Sequence, residues 1–264
     1  MNVGICSWSF AGTARGARAA TDISEVAAAW GFAAFEGAFA PRGQLAAGQP
    51  AAALAGAPMP TLATLELHRF HLTDENPKRR ARAVEVVEQM IDCARAWGAS
   101  SISFSPGPAP AGATPEAVEE AIDRACDALE PVFPRAASAG VVVALENLPA
   151  HALCTRRAMH RALRRLPQAR VCLDLGNATL DGPVAAWLDE LGDRIEKLHL
   201  SDARLDPAFE LVLPATGEVP WPELRAPLRA LARPIFVEAP IPAGADEPEF
   251  LGRVREATQR AMAS

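Results

Sequence analysis

The strongest constraint in this chain is a strict alternation: short apolar runs rich in β-formers take turns with longer stretches of 3.6-residue periodicity. The runs are Val3–Ser7, Ala33–Glu36, Thr61–Leu67, Ser101–Ser105, Val141–Glu146, Arg170–Asp174, Ile195–Leu200 and Pro234–Glu238. Between and after them lie Asp22–Trp30, an Ala-rich stretch over Gln44–Ala55, Arg79–Trp97, Pro115–Ala139, Arg156–Leu166, Pro183–Leu191, Pro222–Leu231 and Glu247–Ala261, all expected to be helical. Thr114-Pro115-Glu116 and Thr155 supply N-terminal caps, and Gly31, Gly98 and Gly140 stand where helices should stop. Runs such as Val141-Val142-Val143-Ala144-Leu145 are apolar without alternation, so both of their faces must be covered, as in parallel strands wrapped by helices. Eight such units in 264 residues predict an α/β fold, a single (β/α)8 TIM barrel spanning 1–264, and no Pro/Gly/Ser-rich linker divides it. Neither G-x-G-x-x-G nor G-x-x-x-x-G-K-[ST] follows any run, which argues against a doubly wound nucleotide-binding sheet.

Charge and cysteine usage narrow the function classes. With 26 Lys+Arg against 32 Asp+Glu the chain is net acidic and lacks the footprint of a general nucleic-acid binder, so no nucleic acid is expected as a partner. Five widely spaced cysteines without a C-x-x-C pair read as free thiols of a reducing compartment. No leader-like apolar segment opens the sequence and no run approaches the roughly 18 apolar residues of a membrane span. A cytoplasmic enzyme with no membrane attachment is the expectation.

In a barrel of this kind chemistry gathers at the C-terminal mouth, so the polar residues that end the strands carry the information. Strand 2 ends in Glu36, strand 5 in Glu146, strand 6 in Asp174, strand 7 in His199 and strand 8 in Glu238. Three carboxylates crowded at a partly buried mouth repel one another unless a cation joins them. Glu146, Asp174, His199 and Glu238 therefore predict one divalent metal ion, with an oxygen-rich shell suited to Mn²⁺ or Mg²⁺ and tolerant of Co²⁺ or Zn²⁺.

These residues, in this order, resemble the xylose isomerase-like barrels, a superfamily of sugar isomerases and epimerases, inosose and dehydroshikimate dehydratases, and apurinic endonucleases. The resemblance covers essentially the whole chain: Val3-Gly4-Ile5-Cys6-Ser7-Trp8-Ser9-Phe10, Gly31-Phe32 with Phe35-Glu36, the Arg79–Gly98 helix, Leu145-Glu146-Asn147, Leu173-Asp174-x-Gly176, His199-Leu200-x-Asp202 and Gly217-Glu218-Val219-Pro220-Trp221. It implies that the four strand-end residues bind one metal and that Glu146 and Glu238 form the acid/base pair of an isomerase or epimerase acting on a small polyhydroxylated carbonyl compound through an enediolate. A metal-dependent dehydratase of a cyclic polyhydroxy ketone is the alternative, and a non-catalytic metabolite-binding barrel a third reading. The superfamily often forms homodimers, though no residue here demands one. Its members usually carry His three residues after the strand-6 Asp, and Asn177 stands there instead; an amide binds a hydroxyl but does not shuttle a proton. The three-zinc site of the endonucleases needs more histidines than the five present.

Further substrate contacts are expected from Asn177, Asp202, Arg204, His68, Glu36 and Trp8, with Asp202 or Arg204 alternatively orienting the His199 imidazole. His151 is expected to shape the mouth. Arg156, Arg157, Arg161, Arg164 and Arg165, with His160 among them, read as a solvated helix face.

Overall fold

The apolar runs do become parallel strands. A computed structural model describes residues 2–10, 18–43, 45–46, 48 and 51–263. The elements are β1 (Gly4–Cys6), α1 (Ala20–Ala29), β2 (Phe35–Ala38), β3 (Thr61–Ala63), α2 (Pro77–Trp97), β4 (Ser101–Phe104), α3 (Pro115–Leu129), α4 (Phe133–Ala139), β5 (Val142–Glu146), α5 (Arg156–Arg165), β6 (Arg170–Asp174), α6 (Leu175–Ala178), α7 (Val184–Leu191), β7 (Ile195–Leu200), β8 (Asp202–Arg204), β9 (Glu210–Val212), α8 (Trp221–Leu231), β10 (Ile235–Val237) and α9 (Glu247–Met262). Eight strands close in the order β1-β10-β7-β6-β5-β4-β3-β2, every pairing parallel, and the remaining two, β8 and β9, form an antiparallel hairpin after β7. Among the described residues no helix is long and apolar enough to cross a membrane.

Caps fall where side-chain chemistry directs. Thr114 Oγ1 accepts from Ala117 N and Thr155 Oγ1 from Ala158 N, while Gly98 and Gly140 close α2 and α4 in the left-handed region.

Four departures from the expected elements have a clear physical reason, beside shifts of one or two residues at other ends. The helix expected over Pro115–Ala139 is two helices joined by a 3-10 turn at Glu130–Val132, because Pro131 lacks the N–H that would continue the ladder and its ring clashes with the preceding turn. Strand 3 stops at Ala63, where Thr64 Oγ1 accepts from Glu66 N and bends the chain into a 3-10 turn. Strand 2 runs on to Ala38, which places Glu36 inside the strand rather than at its end. Gly37 permits this, since a Cβ there would lie 2.4 Å from Met59 Sδ. Of the Ala-rich stretch Gln44–Ala55, Gln44, Ala47, Gln49 and Pro50 lie outside the described residues, and Ala51–Ala55 is not helical. Four of those five residues are exposed, so a helix there would bury no apolar face.

The helices pack an apolar shell around the strands, with Trp187, Phe35, Phe104 and Leu62 among the fully buried side chains. The lumen differs from the branched-apolar filling common in such barrels. Cys6, Glu36, Thr61 and Ser101 are register neighbours on β1 through β4, and Lys197 on β7 reaches across to two of them.

Candidate functional site

His199 is the hub. It sits on β7 between β6 and β10, with Asp174 and Phe236 as its register partners. Its Nδ1 lies 3.0 Å from Glu146 Oε1 and 2.8 Å from Glu238 Oε2, and its Nε2 lies 2.7 Å from Glu36 Oε2. Glu146 ends β5 and Glu238 follows β10, so the two carboxylates reach one nitrogen from strands that flank the β6–β7 pair. Only Glu238 of these four keeps appreciable exposure, 18% of its side chain.

Asp174 divides its work between two oxygens. Oδ1 caps α6 by accepting from Asn177 N at 2.6 Å and also accepts from Ser201 Oγ at 2.7 Å. Oδ2 is buried without a hydrogen-bond partner. Among the described residues, two triads bring their ligand atoms within 4.8 Å of one another, Cys6–His199–Glu238 and Glu146–Cys172–His199, and Asp174 belongs to neither. Its charge nonetheless couples to Glu238 and His199.

The titration behaviour follows from this crowding. Burial raises Asp174 to about 7, with the Glu238 charge adding to the effect. Burial also raises Glu146 against the opposing pull of His199. For Glu238 burial is outweighed by His199 and Lys197, which hold it low. Burial works against the His199 cation too, yet the ionisable groups around it, Cys172, Cys6, Glu146 and Glu238, lift its pKa well above the usual histidine value. The imidazolium is thus the cation on which the carboxylates converge.

A divalent ion suits the same donors. Three carboxylates and one imidazole form a hard, oxygen-rich set, and Asp174 Oδ2 is a buried acceptor without a hydrogen-bond partner. With Glu36 at Nε2, Nδ1 is the nitrogen that could hold such an ion.

The other expected contacts scatter. Asn177 lies beside the site: its Nδ2 donates to Asn147 O at 3.0 Å and its Oδ1 is buried without a partner. Asn147 in turn exchanges two hydrogen bonds with the Asp174 backbone, stitching the ends of β5 and β6 together. Asp202 is committed to the fold, since Ala203 N, Val219 N, Gly217 N and Trp221 Nε1 all donate to its carboxylate at 2.8–3.0 Å. Arg204 is exposed and pairs with Glu210 across the hairpin at 3.2 Å, away from the imidazole. Trp8 and His68 line a cavity of about 180 Å³ with Phe39, Leu65, Glu66 and Arg69. The His68 ring stands 4.6 Å from that of His151, whose Nδ1 meets Ser105 Oγ at 2.8 Å. Glu36 is buried against Lys197, His199 and Cys6. Sequence reasoning missed Lys197 altogether, although its two-residue spacing from His199 places both side chains on one face of β7. The arginines of α5 are not a merely solvated face: Arg157, Arg161 and Arg165 bind Glu119, Asp123 and Asp127 of α3, and Arg156 binds Asp181 and Glu190.

Comparisons agree with this architecture. A search of the curated proteins found no match. Among solved structures, an L-ribulose 3-epimerase superposes with a TM-score of 0.78 at 16% identity, covering 99% of this chain and 95% of the other. The 3-keto-D-glucoside 4-epimerase YcjR from E. coli gives 0.75 at 17% identity with all of both chains covered. A D-psicose 3-epimerase crystallised in the presence of D-fructose gives 0.76 at 15% identity, again over the whole of both chains. At such identities these likenesses speak for the fold. The profile described as xylose isomerase-like TIM barrel matches residues 24–257, and with the eight-stranded closure seen here the chain belongs to that family.

Proposed function

We propose that this protein is a divalent-metal-dependent isomerase or epimerase of a sugar or sugar-like hydroxycarbonyl compound. The observation that carries the reading is the convergence of Glu146 and Glu238 on one nitrogen of His199, with the unpartnered Asp174 Oδ2 nearby. Glu146, Asp174, His199 and Glu238 would hold the ion, which when bound supplies a Lewis acid that makes the α-proton of a carbonyl acidic enough to remove.

The remaining work belongs to the side chains. One of the two glutamates takes the proton from the carbon next to the carbonyl, leaving an enediolate, and the other returns a proton. Return to the same carbon from the opposite side inverts it, and return to the neighbouring carbon moves the carbonyl. Burial raises Glu146 while His199 and Lys197 hold Glu238 low, so of the pair Glu146 is the better proton donor and Glu238 the better acceptor. Asn177 Oδ1 accepts from a substrate hydroxyl, and the cavity beside Trp8 and His68 takes the part of the substrate remote from the reacting carbons.

The test is a screen of ketoses, keto-glycosides and cyclic hydroxyketones in D₂O with added Mn²⁺, following solvent exchange of the α-proton by NMR. Exchange with an accepted compound is expected to fall roughly 10²–10⁴-fold in Glu146→Gln and in Glu238→Gln. Undiminished exchange in both variants would remove the acid/base assignment.

A further inference from the structure

Beneath the carboxylates lies a polar chain that the proton transfers do not use. Lys197 Nζ forms an ion pair with Glu36 Oε1 and donates to Thr61 Oγ1 at 2.8 Å, and Thr61 Oγ1 accepts in turn from Ser101 Oγ at 3.0 Å. The other oxygen of Glu36 faces His199 Nε2 at 2.7 Å and accepts from Cys6 Sγ at 3.3 Å. Lys197, Glu36 and His199 are each 1% exposed.

We propose that Glu36 and Lys197 are positioning residues for the metal-binding imidazole: Lys197 fixes Glu36, and Glu36 holds the Nε2 edge of His199 so that Nδ1 faces Glu146 and Glu238 as a ligand. The inference rests on the metal-dependent reading above and adds residues to it. An imidazole presents two different nitrogens, and the one that is free to ligate is set by the hydrogen bond made by the other. Here a carboxylate fills the Nε2 side, which keeps a proton there when a cation replaces the one that Nδ1 shares with Glu146 and Glu238. The carboxylate cannot swing away, because Lys197 and Cys6 hold it from β7 and β1 and the Gly37 packing fixes β2 behind it.

Stability alone does not explain the arrangement. An ion pair withdrawn from water is at best an even exchange against well-packed apolar side chains of similar volume, which are what usually fill a barrel lumen. A Glu–Lys pair kept across that lumen, touching the one histidine of the site, is better explained by what it does to the histidine.

Two variants and two readouts separate positioning from folding. In Glu36→Gln the charge that fixes the tautomer is gone while the shape is kept, and in Glu36→Leu/Lys197→Met the whole pair becomes apolar. Titration with Mn²⁺, followed by electron paramagnetic resonance, is expected to show affinity roughly 10–100-fold weaker than wild type in both. Thermal unfolding of the double variant is expected to stay at or above that of wild type. Imidazole ¹⁵N shifts, recorded at a pH where His199 is neutral, are expected to place the proton on Nε2 in wild type and to lose that preference in the double variant. A double variant that binds Mn²⁺ within about twofold of wild type overturns the proposal. So does a wild-type proton found on Nδ1. Wild-type protein that binds no divalent ion but carries the Nε2 proton instead overturns the metal-dependent function and leaves the role of Glu36 in orienting His199 standing.

Discussion

Asp202 and Asp174 show how differently two buried carboxylates can be employed at the ends of neighbouring barrel strands, one closing β6 and the other opening the hairpin after β7. Four donors satisfy Asp202, and Gly217 makes room for them: a Cβ there would meet Ala203 O at 2.4 Å and Asp202 Oδ1 at 2.5 Å. Asp202→Ala strands three backbone N–H groups and an indole, so it is expected to cost about 2–4 kcal/mol in denaturant unfolding and to speed amide exchange over residues 203–221. Asp174 has the opposite sign. Its pKa of about 7 in the folded chain lies above the ordinary carboxylate value, so between those two pH values the folded state holds a proton that the unfolded chain has lost. Stability from this group therefore falls as pH rises towards 7. Without added metal, Asp174→Asn is expected to be more stable than wild type at pH 8 by about 1–3 kcal/mol, and the difference should vanish towards pH 4. The same variant is expected to lose Mn²⁺ binding. The strand-end rule made Glu146, Asp174, His199 and Glu238 legible in the sequence, because each follows an apolar run. It could not reveal that Asp202 serves the fold, since the four donors come from a loop whose path no periodicity encodes. Lys197 was legible in principle through its period-two relation to His199, but a lone lysine in a strand reads as a surface charge until the strand is known to line a lumen.

At the scale of elements, most expected helices formed, Ala51–Ala55 being the exception, and helix ends were less legible. Caps at Thr114 and Thr155 and the glycine after α2 are local chemistry, and they fall as the residues dictate. The Pro131 break and the early end of β3 required weighing a single residue against a longer periodic signal. The hairpin of β8 and β9 is short and polar, so it read only as loop. The α3–α5 pairing was also hidden, because spacing on α5 alone does not show which helix faces it. Arg161 binds Glu119 at 2.7 Å and Asp123 at 2.8 Å, and the pairing with Arg161 holds the Asp123 carboxyl below its ordinary range. Such a depressed carboxylate contributes stability above its unfolded pKa and loses it as pH falls. Asp123→Asn is expected to cost about 0.5–1 kcal/mol in low salt and less in high salt, measured by urea unfolding at both ionic strengths.

Over the whole molecule, closure of eight parallel strands is what turns residues distant in the chain into neighbours: Glu36 and His199 are 163 positions apart and share a hydrogen bond. The eight-fold alternation made that closure readable from sequence, whereas the polar lumen was not, because inward and outward faces of nearly continuous apolar strands look alike. The lumen also predicts the pH response of ligand uptake. A cation at Nδ1 displaces the proton that the surrounding acidic groups hold on His199, so affinity should rise with pH, by about tenfold per unit for each proton released. The most direct measurement of the central claim is anomalous diffraction at the manganese edge from crystals grown with Mn²⁺. One ion per chain bound jointly by Glu146, Asp174, His199 and Glu238 is the predicted result; saturating Mn²⁺ that leaves those four side chains joined only to one another, or an ion held elsewhere, would contradict it.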